Sequence, residues 1–190
     1  MRNKDLYDKY VNGKHWKKHP TTYVEKFSDF LERNNFLGKL VDIGCGNGRD
    51  VNVFQNRGFD VMGLDYDKEE MVMAEKNFPK SKFIIANAED LPFRDASIGA
   101  FFAINVIHYV DQQKTIQEVK RTLVSGGYLF IHFNLQITNA KGGIDYQQNK
   151  NEIKSLFRDF SLVQESVFHR LDKKPFEHTH DIMELILRKP

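Results

Sequence analysis

One short segment limits the fold of this chain more than any other. Residues 40–50 read Leu-Val-Asp-Ile-Gly-Cys-Gly-Asn-Gly-Arg-Asp, so three glycines at alternate positions follow an apolar run and precede a helical pattern. Glycines placed there let the backbone approach a ligand that side chains would exclude. The order strand, glycine turn, helix predicts an α/β fold with a binding site at the end of the first strand.

The remainder of the chain alternates short apolar runs with helical segments, which is typical of a parallel sheet covered on both faces. Seven strands are predicted, at about residues 39–43, 60–64, 82–86, 98–105, 128–133, 162–170 and 180–187. A capping-box pattern at residues 22–25 predicts the start of the first helix. Residues 134–150 are polar and carry glycines, so we expect a long functional or mobile loop there.

The composition argues against several classes of protein. A net charge of +2 over 190 residues gives no overall field that would hold nucleic acid or an anionic membrane. Cys45 is the only cysteine, which excludes an internal disulfide and a cysteine-rich metal site. No apolar run approaches the roughly 18 residues that a membrane span needs, and the charged N-terminus lacks the apolar stretch of a signal peptide. We expect one domain in the cytoplasm, with no membrane partner.

The acids around the glycine turn distinguish between two kinds of cofactor. Asp65 ends the second predicted strand, where a carboxylate can accept hydrogen bonds from both ribose hydroxyls of an adenosine-type cofactor. A dinucleotide fingerprint would need glycine where the chain has Arg49, and Asp42 would put negative charge near the pyrophosphate. The same negative charge suits the cationic amino-acid end of S-adenosylmethionine.

Four segments, in the expected order, resemble the motifs of the class I S-adenosylmethionine-dependent methyltransferases. Residues 41–48 resemble their glycine motif, 63–65 their acidic motif, 87–93 the segment that wraps the adenine, and 123–129 the turn before the fifth strand. Ser125 stands where that turn usually has proline. The glycine segment is similar to the tellurite-resistance and thiopurine branch, and the middle segments are similar to the ubiquinone-biosynthesis methyltransferases.

This resemblance implies a fold and a cofactor. The fold would be a Rossmann-like, doubly wound, mostly parallel sheet of seven strands with the last strand antiparallel. The cofactor would be S-adenosylmethionine, and the product S-adenosylhomocysteine. Residues 1–190 would then form a single methyltransferase domain. Within it, residues 1–35 are an N-terminal lid and helix, 36–133 the cofactor-binding half, and 134–190 the substrate-side half.

Cofactor-binding roles carry over from the family to the matching positions. Asp42 and the backbone of the glycine turn would hold the methionine end, Asp65 the ribose, and Tyr66 the adenine edge. Asn105 ends the fourth strand, where the family commonly places the methyl donor. Many relatives have aspartate where this chain has Asn87. The full set is Asp42, Gly44, Cys45, Gly46, Gly48, Asp65, Tyr66, Asn87, Ala88, Glu89, Asn105 and Trp16.

Candidate substrate contacts lie on both sides of this set. They are Tyr7, Tyr10, His108, Tyr109 and His178. His108 follows the fourth strand beside the expected methyl position, so it is a candidate catalytic base or substrate contact; the alternative is packing at a helix start. Tyr7, Tyr10 and Trp16 either close over the cofactor as a lid or anchor the first helix. His178 and His180 form a polar cluster with Glu177, but no third ligand has suitable spacing, so no metal site is predicted.

Several acceptor classes lack their signatures in this chain. Val106 and Ile107 follow Asn105 where exocyclic-amine DNA methyltransferases carry a Pro-Pro string, and no cysteine follows that strand as a cytosine-C5 enzyme requires. The paired glutamates of protein-arginine enzymes are missing too. We predict in-line methyl transfer to a small molecule, without nucleic acid as a partner. Two alternatives stay open: an RNA or protein substrate, and a non-catalytic S-adenosylmethionine-binding subunit.

Overall fold

The computed structural model describes residues 19–173 and 176–190, in which strands and helices alternate along the chain. The strands are β1 (Leu40–Ile43), β2 (Val61–Asp65), β3 (Lys82–Ile85), β4 (Ile98–Ile104), β5 (Leu123–Asn139), β6 (Ile144–Gln147), β7 (Ser161–Asp172) and β8 (His178–Arg188). The helices are α1 (Thr22–Arg33), α2 (Arg49–Asn56), α3 (Lys68–Asn77), α4 (Gln112–Thr122) and α5 (Lys150–Leu156), with a 3₁₀ turn at Ile107–Tyr109. Within these ranges, no helix is both long and apolar enough to cross a membrane.

All these strands belong to one sheet, in the order β3-β2-β1-β4-β5-β8-β7, with β6 paired to β5. The first five strands are parallel, and β8 lies antiparallel between β5 and β7. The chain runs outward from β1 to β3 and then crosses to β4, so the strand order reverses between β1 and β4. The predicted doubly wound, mostly parallel α/β fold with an antiparallel last strand is confirmed. The predicted count of seven strands is wrong, because it omits β6.

Apolar side chains cover both faces of the sheet. Helices α1, α2 and α3 pack on one face, and α4 and α5 pack on the other. Phe27 of α1 is fully buried, and its ring centroid lies 5.3 to 6.4 Å from those of Phe30, Phe54, Phe102 and Phe130. These rings come from two helices and two strands, so the phenylalanines join the helical layer to the sheet.

The start of α1 differs from the predicted capping box. Thr21 is the N-cap residue, and its side chain does not cap the helix. Its hydroxyl instead donates to Asp50 Oδ2 at 2.9 Å, and its backbone N–H donates to Asp50 Oδ1 at 2.7 Å. The capping-box prediction is therefore wrong. Asp50, at the start of α2, binds Thr21 and so connects α1 to the helix that follows the glycine turn.

Residues 134–150 do not form the predicted long loop. Strand β5 runs on through Asn139, and β6 pairs back against it in antiparallel register. Asn139 Oδ1 accepts two backbone N–H groups of the connecting turn. Ile137 is fully buried within the extension, which is what anchors it as a strand. Strand β5 also begins earlier than expected, because it starts at Leu123, directly after α4 ends at Thr122.

Replacing Phe27 with alanine should lower the free energy of unfolding by about 3–5 kcal/mol, since the change removes a large ring from a filled space. Urea denaturation of the full chain measures the loss. Leu37→Ala is the matched control, because Leu37 is 97% exposed and its truncation should change stability by no more than about 0.5 kcal/mol. Equal effects of the two substitutions would contradict this description of the core.

Candidate functional site

A cavity of about 500 Å³ opens at the carboxyl edge of the sheet, where the strand order reverses. In open α/β sheets this is where ligands bind. One side of the cavity is formed by the turns that follow β1, β2, β3 and β4. The inner side is formed by the C-terminal ends of β5 and β7 and by the N-terminal end of β8. We call this side the inner wall. The volume is that of a small-ligand site.

The glycine turn after β1 brings bare backbone to the cavity. Gly44 and Gly46 both have positive φ, 71° and 52°. A Cβ at Gly44 would come within 2.1 Å of Val106 Cγ2, so the turns after β1 and β4 close on each other only if residue 44 has no side chain. A Cβ at Gly46 would meet Glu70 Oε2 at 3.8 Å, so the space above Gly46 belongs to the cavity. A ligand can approach the backbone at this point.

Asp65 fastens the glycine turn to the end of β2. Its Oδ2 accepts the Gly46 N–H at 2.9 Å, and its Oδ1 accepts the Asp67 N–H at 3.0 Å. Burial raises the pKa of Asp65, and these backbone hydrogen bonds oppose the rise. Each carboxylate oxygen keeps a second lone pair for a ligand hydroxyl. The position fits the ribose role predicted for Asp65.

A second carboxylate lies deeper in the cavity wall. Asp42 is 3% exposed. Burial raises the pKa of Asp42 well above its ordinary value of 3.8, Asp50 and Asp65 add to the rise, and Arg49 opposes it. Three carboxylates at one end of the sheet favour a positively charged ligand there. This fits the predicted place of the cationic end of the cofactor.

The turn after β3 forms the opposite rim of the cavity. Tyr66, which follows β2 and lies at the edge of the cavity, is 69% exposed. Ala88, in the turn after β3, is buried. Asn87 Oδ1 accepts the Glu89 N–H at 3.0 Å, and Glu89 Oε1 accepts the Asp111 N–H at 2.9 Å. The side chains of Asn87 and Glu89 therefore hold the shape of the rim. Ala88 leaves a small apolar surface, which suits the predicted adenine contact.

Two further predicted cofactor residues have contrasting environments. Asn105 has a left-handed backbone with φ 57°, a conformation that asparagine tolerates better than most residues and that is enriched at functional sites. Cys45 is nearly buried, and its Sγ lies 3.9 Å from Met71 Sδ. Burial raises the pKa of the Cys45 thiol well above its ordinary value. The Cys45 side chain is therefore a packing group and a poor nucleophile.

The inner wall rises beyond the parallel strands because β5 continues through Asn139 and β8 pairs with that extension. In the β7–β8 pair, Arg170 lies opposite His180, and Asp172 lies opposite His178. All four of these residues line the cavity. Strand register, and not sequence proximity, therefore assembles this wall.

His108 lies behind the inner wall. Its side chain is 1% exposed and is not among those that line the cavity. Asn134, which does line the cavity, donates from Nδ2 to His108 Nε2 at 3.2 Å. Burial lowers the pKa of His108 to about 3, with His132 and His180 adding to the effect. The expectation that His108 faces the substrate side is corrected: it reaches the cavity only through Asn134.

The structure brings most of the predicted site together. The predicted residues that line the cavity are Asp42, Gly44, Cys45, Gly46, Asp65, Tyr66, Asn87, Ala88, Glu89, Asn105, Tyr109 and His178. Gly48 lies behind the lining as the N-cap residue of α2, where a Cβ would come within 2.6 Å of the Phe83 ring. Tyr7, Tyr10 and Trp16 fall outside the described residues. Thr21, later in the chain, lines the cavity.

Several residues of the cavity wall were not predicted, among them Arg49, Asn134, Ile137, Arg170 and Asp172. In the sequence, Arg49 is informative only because it stands where a dinucleotide fingerprint needs its third glycine. Asn134 and Ile137 fall in the segment that was expected to be a loop. Arg170 and Asp172 are two residues apart on β7, so strand alternation puts them on one face. This two-residue spacing predicts a cavity contact only once β7 is known to extend beyond the parallel strands.

Asp172 also changes the environment of the two histidines. Its Oδ2 lies 3.2 Å from His180 Nε2 and 3.9 Å from His178 Nε2. Glu177, the acid that directly precedes them in the sequence, is exposed. The sequence offers no third ligand of suitable spacing, but the register of β7 against β8 brings a carboxylate to the two histidines.

A doubly wound sheet with a glycine turn and an acid-ended second strand at its reversal point defines a protein that binds an adenosine-type cofactor. Comparison with known proteins gives the family. Residues 41–131 match the family described as Methyltransferase domain. Residues 41–131 therefore form a methyltransferase domain, with S-adenosylmethionine as its cofactor.

Two curated relatives are each similar to about half of this chain. An uncharacterised methyltransferase of Mycobacterium tuberculosis is 30% identical over 96 residues, 50% of this chain and 40% of the relative. A probable S-adenosylmethionine-dependent methyltransferase of the same organism is 28% identical over 104 residues, 54% of this chain and 38% of the relative. The chain thus spans about two fifths of the length of these relatives. A Methanosarcina mazei S-adenosylmethionine-dependent methyltransferase structure shares the fold, with a TM-score of 0.66, 19% identity, and coverage of 80% of this chain and 92% of that one.

Asp65→Ala should weaken S-adenosylmethionine binding by about 1–3 kcal/mol, because a buried acceptor of hydrogen bonds is lost and the Gly46 N–H loses its partner. Isothermal titration calorimetry measures the change. Asp60→Ala is the control: Asp60 precedes the same strand at its far end and pairs with Lys82 in solvent. Unchanged affinity in Asp65→Ala, or tight NAD binding by the wild type, would contradict the ribose role.

Asp42→Asn should stabilise the cofactor-free protein at neutral pH. Since the pKa of Asp42 is higher in the folded chain, the unfolded chain loses this proton first, and folding becomes less favourable as the pH rises above 3.8. The variant lacks that loss, so its advantage should grow with pH and level off above the folded-state pKa. Urea denaturation from about pH 4 to pH 8 measures this difference. Identical pH dependence of the two proteins would refute it.

Proposed function

We propose that this protein transfers the methyl group of S-adenosylmethionine to a small-molecule acceptor held against the inner wall. The observation that carries the proposal is a single cavity that runs from Asp42 and Asp65 at the cofactor side to Asn134 and His178 at the inner wall. Methyl donor and acceptor can therefore meet inside one cavity, which is what a direct transfer requires.

The chemistry that this site has to supply is modest. The acceptor atom attacks the methyl carbon in line with the carbon–sulfur bond, and the bonding pair moves to the sulfonium sulfur, which becomes neutral. Holding the two reactants in line and excluding water supplies most of the acceleration. Asp42, Asp65 and the glycine turn hold the donor, and the inner wall orients the acceptor.

The inner wall has the mixed character of a small-ligand pocket. Ile137 gives it an apolar surface, Asn134 and Arg170 contribute polar groups, and Tyr109 of the 3₁₀ turn adds a further polar group to the cavity. Arg170 is held from two sides, since it donates to the Tyr23 hydroxyl at 3.2 Å and to Asp172 Oδ2 at 2.9 Å. A few fixed polar groups on an apolar background favour one acceptor orientation over others.

His108 supports this wall as a positioning residue. It accepts a hydrogen bond from the Asn134 amide, and His180 donates from Nδ1 to the Asn134 oxygen at 2.9 Å. The two histidines thereby fix both ends of one amide at the cavity surface. A side chain with a pKa of about 3 is a weak proton acceptor at neutral pH, which argues against His108 as the general base.

Measuring S-adenosylhomocysteine formation against a panel of small metabolites tests the proposal, with an RNA pool and a protein extract as further arms. We expect turnover with at least one small acceptor, and loss of turnover in Asp65→Ala at limiting cofactor. Transfer to RNA alone, with a steep dependence on salt concentration, would favour the nucleic-acid alternative. Tight cofactor binding without turnover in any arm would favour a non-catalytic subunit.

With an acceptor identified, His108→Ala should raise KM for the acceptor, leave kcat within about tenfold and leave S-adenosylmethionine affinity unchanged. The pH–rate profile should keep its shape, because His108 does not titrate near neutrality. His169→Ala is the control, since His169 is exposed and pairs with Asp181 at the surface. A 10²–10⁴-fold fall in kcat, with loss of a limb near pH 6.5, would instead identify His108 as a base.

A further inference from the structure

Three side chains that bind metal ions in proteins meet at the inner wall, away from the residues assigned to the cofactor. One ligand atom from each of Asp172, His178 and His180 lies within 4.8 Å of the other two. The carboxylate oxygen is 3.2 Å from one Nε2 and 3.9 Å from the other. Donors around one four-coordinate zinc ion, at bond lengths of about 2.0–2.1 Å, stand roughly 3.3 Å apart. The cluster therefore needs little rearrangement to surround an ion.

The hydrogen bonds behind the two histidines leave the correct ring nitrogens for coordination. His178 Nδ1 donates to the Phe176 carbonyl at 2.7 Å, and His180 Nδ1 donates to Asn134 Oδ1 at 2.9 Å. In a neutral imidazole, a proton on Nδ1 leaves the lone pair on Nε2. Both Nε2 atoms are on the side of Asp172. Metal-binding histidines are typically fixed in this way by a carbonyl oxygen behind the ring.

The cluster is enclosed and faces the cavity. His178 is 4% exposed, His180 is 5% exposed, and both line the cavity together with Asp172. The carboxylate oxygen lies 3.2 Å from His180 Nε2, where either a proton on that nitrogen or a metal cation between the two atoms would stabilise the pair. Arg170 compensates part of the carboxylate charge from one side, at 2.9 Å.

We propose that Asp172, His178 and His180 bind a divalent first-row transition-metal ion, with zinc as the first candidate, and that the open coordination position faces the cavity. Two imidazoles and one carboxylate suit zinc, cobalt and iron, whereas magnesium and calcium prefer oxygen donors. Three protein ligands with a fourth position free is the arrangement of catalytic zinc sites. The positive charge of Arg170 opposes a second cation, so the affinity should be lower than that of a closed structural site.

A metal ion at this place would define the acceptor class, a step that rests on the function proposed above. A hydroxyl or thiol acceptor bound to the ion loses its proton to solvent more readily, because the ion stabilises the resulting anion. The anion then attacks the methyl carbon, the carbon–sulfur bond of the cofactor breaks, and its electron pair stays on sulfur. The methylated product carries no charge and is a weaker ligand, so it can leave.

Zinc binding by the full chain, stripped with a chelator and kept free of S-adenosylmethionine, tests the site without any turnover. Titration calorimetry should give one zinc ion per chain, and magnesium should not bind. X-ray absorption at the zinc edge should show two imidazole nitrogens and oxygen donors at about 2.0–2.2 Å. Because neither measurement requires an acceptor or the cofactor, the metal site can fail while the methyltransferase activity stands, and the reverse.

Matched variants locate the ion. His178→Gln and Asp172→Asn should each weaken zinc binding by at least about 100-fold, and Asn134→Ala by about 10–100-fold through the loss of the support behind His180. His169→Ala is the control, because His169 and Asp181 form a second His–Asp pair on the same two strands, at 2.7 Å, and no third potential ligand joins them among residues 19–173 and 176–190. Circular dichroism and thermal melting confirm that each variant folds.

The open position is tested with cobalt and a small thiol. Cobalt at the site should give visible d–d bands, and 2-mercaptoethanol should add a sulfur-to-cobalt charge-transfer band if a coordination position is free. Absence of zinc binding, or binding that survives His178→Gln and Asp172→Asn, would overturn the metal site. A cobalt spectrum that does not respond to the thiol would overturn the acceptor role.

Discussion

The attachment of the glycine turn to β2 is the constraint on which the rest of this site depends. Gly44 and Cys45 donate their backbone N–H groups to the Leu64 carbonyl at 2.7 and 3.1 Å, and Gly46 donates to the Asp65 carboxylate. These bonds hold the turn in a conformation that only glycine adopts freely at three of its positions. Because the turn is pinned by β2, it cannot relax into the space above the sheet, and the cavity stays open.

The same arrangement gathers buried acids at one end of the sheet. Asp42, Asp50 and Asp65 lie close enough that the charge on Asp50 and Asp65 raises the pKa of Asp42 beyond the effect of burial alone. Thr21 stabilises Asp50 with two hydrogen bonds, and Arg49 offsets part of the charge. The remaining imbalance favours a cationic ligand. Asp42 therefore lowers folding stability at neutral pH, as is common for residues kept for function.

The sequence predicts the cofactor half well because its signals are local. Asp65 follows from its spacing to the glycine turn, since a strand, a turn and a helix of ordinary length leave little freedom. Asp172 could not be predicted, because its place beside His178 depends on the register of β7 against β8. The sequence-based prediction for His108 was wrong, because it put this residue on the cavity side of the inner wall. In the 3₁₀ turn Ile107–Tyr109, neighbouring side chains point about a third of a turn apart, so Tyr109 lines the cavity and His108 packs behind it.

A local sequence motif sets the cofactor side of the cavity, whereas strand register sets the inner wall. The two sides can therefore change independently. The family match ends at residue 131, just before Asn134, where the inner wall begins. Along β8, His178 and His180 face the cavity, while Asp181 pairs with His169 on the exposed side. A shift of one residue in β8 would exchange these faces and replace every acceptor contact from that strand. The glycine turn and Asp65 would be untouched, because they belong to strands on the other side of β4. Changes in the strand ends can therefore change the acceptor while the methyl donor stays the same.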